Sequence, residues 1–514
     1  MQGFHQAQFS KKPLLFLNSS TVAYVLGTLA AIAAIVQLTL GAAPTVLTIA
    51  VLASALGLCG FRALGAYNLV AWVVLLYTLG NVLVALYAKT LLGQPLDSHL
   101  SAPAMSFLVL LICVGALCIA AFMVRRIHIG RAFFTGTSDL RFLVFLSWAC
   151  FWLGTFFWIC NRWLQGPEGS GFGGLAVFRD LLVMAVIART AMLLLRGGCR
   201  WNMDVRLVFM MLAAMLMGFL DNQKTAMALP VAGHFLTVLF FRRGLPWRSV
   251  ALVAAGAIVF VALLAPVIHA LRAMGQQQLG LGERIEFVAQ HLKQLAVDPD
   301  SREQFEEAAS AHFKHGYYAY FGDGGKGQML LGRFASVQQI DPVIAAVGRS
   351  RPLGGEAVWP ALARLVPSFI NPDKPEYVEA YHTLVHYRLI HPAGGKFPTL
   401  PLAGQSYAAY GWPGVVLIPF FTFLVLFLVL KKLGWNLHQN IYAIFFLCSF
   451  VLIYVSQGDF GQYAGAVLRN FPLFAAVFWL IHVSYRMRIL KEIPAASIRG
   501  QRADTTPYHE TGFS

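Results

Sequence analysis

Ionisable side chains beside long apolar runs are where chemistry is sought first in this chain. A charge at the centre of a bilayer costs at least about 2.5–3.5 kcal/mol, so function is its default reading. Four places qualify: Asp221-Asn222-Gln223-Lys224 between two nearly contiguous apolar segments, Arg179-Asp180 opening another, Asp459 in a short turn, and Arg469 soon after it. Arg333, Arg349, Arg351, Lys374 and Arg388, from one long polar segment, add five more cations. Gathered in a cleft, such groups suit a phosphate or pyrophosphate. The bland alternatives are interfacial charge for Arg179 and Asp180, and snorkelling to the headgroups for Lys224. His382 and His386 are spaced i, i+4 between Tyr381 and Tyr387, which on a helix can ligate a metal. No Glu stands where a zinc protease needs one, and no metal or cofactor is expected. The run Gly322-Asp323-Gly324-Gly325-Lys326-Gly327 lacks both the Gly-Lys-Ser/Thr ending and the preceding strand of a phosphate loop, and reads as a surface turn.

The elements that must position these groups follow from composition. Of 514 residues, 58% are hydrophobic and 12% charged, against roughly 25% charged in a soluble chain. Apolar stretches of about twenty residues recur, rather than the alternating ten-residue strands of a membrane barrel. The fold class is all-α, a polytopic membrane protein. Twelve spans are expected near 21–40, 43–61, 67–88, 104–124, 142–163, 173–195, 205–220, 225–241, 249–270, 412–430, 440–456 and 464–485. Basic clusters at Lys11-Lys12, Arg62, Arg125-Arg126-Arg131, Arg196-Arg200-Arg206, Arg242-Arg243-Arg248, Lys431-Lys432 and Arg486-Arg488 occupy alternate connections. The positive-inside rule then sets both termini in the cytoplasm and segment 271–403 outside. Basic residues in such clusters orient spans, which removes nucleic acid as a partner. The seven cysteines lie in or beside spans and none in the external segment, so no disulfide framework is implied.

Four regions result: a membrane body at 1–270 with about nine helices, an external domain at 271–403, about three membrane helices at 404–486, and a cytoplasmic tail at 487–514. The external segment holds 133 residues with thirteen basic and thirteen acidic side chains, whereas the rest carries 26 basic and ten acidic. A connection of that length is a small domain. Leu281, Ile285, Val288, Leu292 and Leu295 predict a helix lying in the interface plane. Asp300 or Ser301 caps an acidic helix to about His315. Beyond Arg349, clustered Pro and Gly exclude long helices.

This plan, a dozen helices with one large external loop before the last three, resembles the bacterial O-antigen and exopolysaccharide repeat-unit polymerases called Wzy-type. The local matches are Asp221-Asn222-Gln223-Lys224, Gly332-Arg333-Phe334, Pro367 to Pro375 with its Asn-Pro-Asp-Lys-Pro, and Thr399 to Gly414, which includes Tyr407 and Gly411-Trp412-Pro413. The resemblance covers about residues 200–480. Gln405 departs from the Glu of many relatives, which removes a carboxylate role there, and the Arg followed ten residues later by Gly in some relatives is absent from 271–403.

The resemblance implies a glycosyltransferase of the lipid-linked-sugar type in the bacterial inner membrane, extending glycans on undecaprenyl pyrophosphate at the outer face. Donor and acceptor would both be lipid-linked, with a chain-length regulator and a flippase as further partners. The donor is already activated, so no nucleotide motif is needed. The cations named above, with Tyr407, would bind substrate and stabilise charge on the departing pyrophosphate. Asp221, His382, His386, His391 and Asp459 are the candidates to take the proton from the attacking hydroxyl. An O-antigen ligase shares the layout, and a flippase for the same lipids is the rival from another class. Against the flippase stands the clustering of charge at one face, since a transporter places its polar site near the midplane.

Orientation is directly testable. Single cysteines placed in 300–400, in a chain lacking the native seven, are expected to react with an impermeant thiol reagent from outside, and those near Arg126, Arg243 and Lys431 to stay unlabelled. External labelling beside Arg243 overturns the assignment.

Overall fold

The computed structural model describes residues 18–136, 139–163, 176–197, 203–221, 223–242, 286, 320–321, 335–366, 379–389 and 400–492. Among them every regular element is a helix, and extended backbone pairs only at the isolated antiparallel bridge of Asn68 with Asn436. In chain order the membrane body contains α1 (Ser19–Thr39), α2 (Pro44–Leu64), α3 (Leu69–Leu91), α4 (Pro103–Arg126), α5 (Leu140–Trp163), α6 (Leu181–Arg196), α7 (Val205–Leu220) and α8 (Lys224–Arg242). The external segment contributes α9 (Val337–Arg349), α10 (Trp359–Leu365) and α11 (Glu379–His386). Then come α12 (Leu402–Gly434), α13 (Ile441–Tyr454), α14 (Phe460–Gly465) and α15 (Phe471–Glu492).

Among the described residues, eight stretches are long and apolar enough to cross a membrane: α1 to α5, Thr225–Arg242 within α8, α12, and Phe460–Ile489. The chain is a polytopic all-α membrane protein. Helices α6, α7 and α13 are shorter, so eleven of the twelve expected segments coincide with a described helix. The remaining segment, 249–270, lies outside the described residues, as do the expected helices at 281–295 and 300–315 and the glycine run at 322–327. The chain divides into two compact units, Met1–Asn470 and Phe471–Ser514; the described part of the second is α15, with Phe474 stacked on Phe478.

Local sequence explains the helix ends. Pro44 and Pro103 open α2 and α4, where a missing N–H costs nothing. Asn18, Asn68, Asp204 and Asn440 cap α1, α3, α7 and α13 by accepting backbone N–H groups. In hydrocarbon each polar group must find an internal partner. Thus Ser54, Thr78 and Ser449 turn their hydroxyls back onto carbonyls four residues earlier.

The basic helix ends converge. Arg125 donates to the Ala63 carbonyl at 2.9 Å, and Lys431 to those of Val124 and Ile127 at 2.8 and 2.7 Å. The backbone N–H groups of Phe133 and Phe134 complete the joint by donating to Lys432 and Leu433. The ends of α2, α4 and α12 with their basic residues therefore meet, where the charge also suits the helix C-termini.

At the opposite end the external segment docks. Val337, Ile340, Val343, Ile344 and Val347 form the buried stripe of α9. Asp341, 2% exposed, accepts the N–H groups of Ser101 and Ala102 at 2.6 and 2.8 Å and the Ser106 hydroxyl at 2.8 Å. It thereby caps α4 from more than 200 residues away. Ser336 bonds the carbonyls of Gly80 and Ser456. That approach needs a glycine, because a Cβ at Gly80 would fall 2.3 Å from Ser456 Cβ. Gly80 lies in a π-helical turn, Leu79–Leu83, one of three such turns with Leu447–Val451 and Ala466–Asn470. A second tether is Lys89, whose buried ammonium donates to Gln94 and Ser98 and lies 4.3 Å from the ring centre of Tyr320.

Asp341→Ala is expected to leave the N–H groups of Ser101 and Ala102 without this acceptor, while the Ser106 hydroxyl keeps the Ala102 carbonyl at 2.9 Å. It should destabilise the protein by about 2–4 kcal/mol, read as a lower unfolding temperature in detergent, with Asp341→Asn intermediate.

Candidate functional site

Two clusters and a groove account for most of the candidate residues. The first cluster is built on Asp221, which follows α7. Its Oδ2 accepts Arg179 Nη1 at 3.1 Å, its Oδ1 accepts Arg162 Nη2, and both oxygens lie 3.1 Å from the Trp158 indole nitrogen. Arg162 also donates to the Leu220 carbonyl at 2.6 Å. Trp158 and Arg162 share one face of α5 by i, i+4 spacing. Arg179 comes from the short 3₁₀ turn Ala176–Asp180 and lies 3.9 Å from Asp180. With Asp180, the cluster sets two carboxylates against two guanidiniums, and Asp221 is the anion that holds both arginines.

Tyr454, at the end of α13, lies within electrostatic reach of Asp180, Arg179, Arg469 and Asp459. Asp459 is buried and caps α14 by accepting the Gln462 N–H at 2.8 Å. Arg469 sits in the π-helical turn Ala466–Asn470 and donates to Asn470 at 3.1 Å. So Arg179, Asp221, Asp459 and Arg469, scattered through the sequence, occupy one neighbourhood.

The second cluster belongs to the external segment. Arg349, Arg351 and Arg388 are exposed, and none has a carboxylate partner among the described residues. Tyr387 joins their segments, donating its hydroxyl to the Arg351 carbonyl at 3.1 Å. Burial pushes its phenol above the ordinary value, against a backbone hydrogen bond at Leu353 that lowers it. Arg388 has φ of 55°, a left-handed conformation uncommon for a long side chain. His386 is exposed and packs edge-on against Tyr387, while His382 is part-buried with its Nδ1 unpartnered. No third ligand joins these histidines among the described residues.

Residues near both clusters in sequence line an apolar groove of about 450 Å³. One wall is Gly355, Val358, Trp359 and Leu362, around α10. A second is Tyr410 with Leu417 to Val425 of α12, and the third is Phe460 to Leu468. Its outer lip carries Trp359, 69% exposed, a side chain typical of the membrane interface. Helix α12 breaks there at Tyr410-Gly411; Gly411 has φ 60° and ψ −137°, which only glycine adopts easily. Val467 and Leu468 face the groove, and the next residue is Arg469. Arg351 is four residues ahead of Gly355 on the opposite wall. Tyr407 is buried, 7% exposed, with its ring edge-on to Trp412 at 5.4 Å.

Arg333, Lys374 and His391 lie outside the described residues. Lys224 begins α8, adjoining the Asp221 cluster in sequence. Sequence reading missed Arg162 and Trp158, whose shared helical face at the end of an apolar span was the available signal. It also missed Gln405 as a structural amide.

No protein-family model, no curated protein and no solved structure matches the chain.

The carboxylate–guanidinium cluster generates a stability test. Arg162→Ala and Asp221→Ala should each destabilise the protein in detergent by about 1–3 kcal/mol, with the double variant losing clearly less than the sum. Strict additivity in chemical denaturation would mean that the two groups are uncoupled.

Proposed function

We propose that the protein is a membrane glycosyltransferase that polymerises glycan repeat units carried on undecaprenyl pyrophosphate, at the outer face of the bacterial inner membrane. One observation carries the reading: an apolar groove lined by the long apolar helix α12, with Arg469 next in sequence to its lining residue Leu468 and Arg351 four residues before its lining residue Gly355. An amphiphile with a long hydrocarbon tail and an anionic head meets both requirements at once. The twelve-span topology with cytoplasmic termini belongs to the same proposal, as do the chain-length regulator and flippase as partners.

In this reading the tail lies in the groove and the pyrophosphate meets guanidinium groups. Bond cleavage places growing negative charge on the leaving phosphate, which preorganised cations stabilise more in the transition state than in the ground state. Arg179 and Arg469 are the cations closest to Tyr454, while Arg349, Arg351 and Arg388 present unpaired charge in the external segment. Asp221 holds Arg162 and Arg179 in place, both of its oxygens being engaged by their guanidiniums and by the Trp158 indole. The proton of the attacking hydroxyl passes instead to one of His382, His386, His391 and Asp459. Of these His386 is exposed and needs no rearrangement to meet solvent or substrate. Lys224, Arg333 and Lys374 remain proposed as substrate-binding cations, and Tyr407 as a residue supporting the site.

The test is purified protein in liposomes with lipid-linked repeat units, without ATP, an ion gradient or added divalent metal, and gel analysis of product. A ladder is expected, and Arg469→Ala and Arg351→Ala should each slow its formation by about 10²-fold. Transfer only to a lipopolysaccharide core would instead identify a ligase. Movement of unchanged glycan across the bilayer would identify a flippase.

A further inference from the structure

At the joint of α2, α4 and α12 the basic side chains are of two kinds. Lys431 spends its ammonium on the carbonyls of Val124, Arg125 and Ile127, at 2.8, 3.3 and 2.7 Å, and Arg125 reaches that of Ala63, so these two close the ends of α4 and α2. Arg62, Arg126, Arg131 and Lys432 are exposed, and none pairs with a carboxylate among the described residues. No Asp or Glu occurs in 56–68, 119–136 or 427–442, the stretches that build the joint. The next acid along the chain, Asp139, turns its Oδ1 onto the N–H groups of Arg141 and Phe142 at the start of α5. Carbonyl dipoles answer part of the positive charge, and the outward side of the joint stays cationic.

Two further features point to what meets that charge. The first is depth. Lys431 lies 4.5 Å from the ring centre of Trp435, and Arg62 4.9 Å from that of Tyr24. Trp and Tyr beside cations at the ends of apolar helices mark the headgroup level of a bilayer. Ile127 and Phe133, 38% and 53% exposed, are interspersed with Arg126 and Arg131, as in a segment lying in the interface. The second is rigidity. The N–H groups of Phe133 and Phe134 bond the carbonyls of Lys432 and Leu433 at 2.7 and 3.0 Å, and Lys432 reaches back to the Arg131 carbonyl at 3.3 Å. The segments approach so closely that a Cβ at Gly136 would fall 2.5 Å from the Gln439 carbonyl oxygen, and one at Gly434 2.4 Å from that of Phe134. Arg126, Arg131 and Lys432 therefore project from a fixed backbone, which lowers the entropy lost on meeting a ligand.

We propose that this joint is a docking surface for anionic phospholipid of the surrounding bilayer, with Arg126, Arg131 and Lys432 meeting headgroup phosphates. Guanidiniums grip two phosphate oxygens at once, and the ammonium adds a point charge. A zwitterionic headgroup carries its own cation and gains little from the patch. The joint is at the end of the helices away from the external segment, so this site and the transfer reaction proposed above can each fail alone.

The experiment uses the full chain, lacking its native cysteines, in phosphatidylcholine vesicles with a bimane fluorophore on one introduced cysteine. Thr135→Cys places the reporter at the joint, and Leu91→Cys, at a position 87% exposed, places it at the far end of α3. Phosphatidylglycerol and phosphatidylcholine carrying the same nitroxide on the same acyl chain are the quenchers, so their ratio reads headgroup preference at each reporter. Each cation near such a surface contributes about fivefold, and the Thr135→Cys reporter should show phosphatidylglycerol enriched by about tenfold or more at low salt. The Leu91→Cys reporter should show little preference. High salt should weaken the enrichment, and Arg126→Gln, Arg131→Gln and Lys432→Gln together should remove most of it. Arg126→Lys with Arg131→Lys and Lys432→Arg should keep most of it; quenching by phosphatidylcholine, unchanged throughout, reports an intact fold. Equal quenching by the two lipids at Thr135→Cys, enrichment that survives the triple glutamine variant, or the same enrichment at Leu91→Cys overturns the proposal. So does its loss to inorganic pyrophosphate equimolar with the labelled lipid, which would assign the joint to a soluble phosphate.

Discussion

The contact on which the architecture turns is the carboxylate of Asp341 on the start of α4. A membrane helix leaves its first N–H groups without partners, and here the residue at the N-cap position is Ala102, which has no side chain to offer. The acceptor comes from α9, in the external segment, and brings a negative charge to the positive end of the helix dipole. Once α9 is seated, Ser336 reaches Gly80 and Ser456, and the chain that follows is directed over α12 to form the first wall of the groove. The described part of segment 271–403 is thus seated on the membrane helices, and the first wall of the groove follows from that joint.

Charge is handled in two ways. Where a carboxylate is enclosed, guanidiniums or backbone donors surround it, as at Asp221, Asp204 and Asp341. Lys89 follows another rule, with neutral oxygens and an aromatic face meeting its ammonium and Asp97 within electrostatic reach. Enclosed ions of this sort specify one docking arrangement, because any other leaves them unsolvated. Arg349, Arg351 and Arg388, by contrast, are exposed and have no carboxylate partner among the described residues.

Much of the fold was legible in sequence because each membrane span must satisfy its own backbone, which makes apolar length a local signal. The spans were read that way, whereas the caps Asn18, Asn68, Asp204 and Asn440 were not singled out; the ends at Arg125 and Lys431 meet in the structure. The candidate site was legible only as residue types. That Arg179, Asp221, Asp459 and Arg469 share a neighbourhood depends on how helices pack, which no window of sequence reports. Helix α9 was missed because Pro342 and the polar run Gln338-Gln339-Ile340-Asp341 conceal its buried stripe. Gln405 was read as the absence of an acid, whereas its two partners, the Ala357 carbonyl and the Phe460 N–H, make the amide itself the meaningful group.

The π-helical turns have a geometric implication of their own. Each accommodates one residue more than an α-helix would, and one residue corresponds to about 100° of rotation around the axis. Side chains beyond the turn are consequently re-aimed while the helix keeps its direction, as for Lys89 after Leu79–Leu83 and Tyr454 after Leu447–Val451. A lineage can therefore exchange the set of side chains facing the external segment by gaining or losing a single codon in one of these turns, with the lipid-facing surface before the turn left as it was.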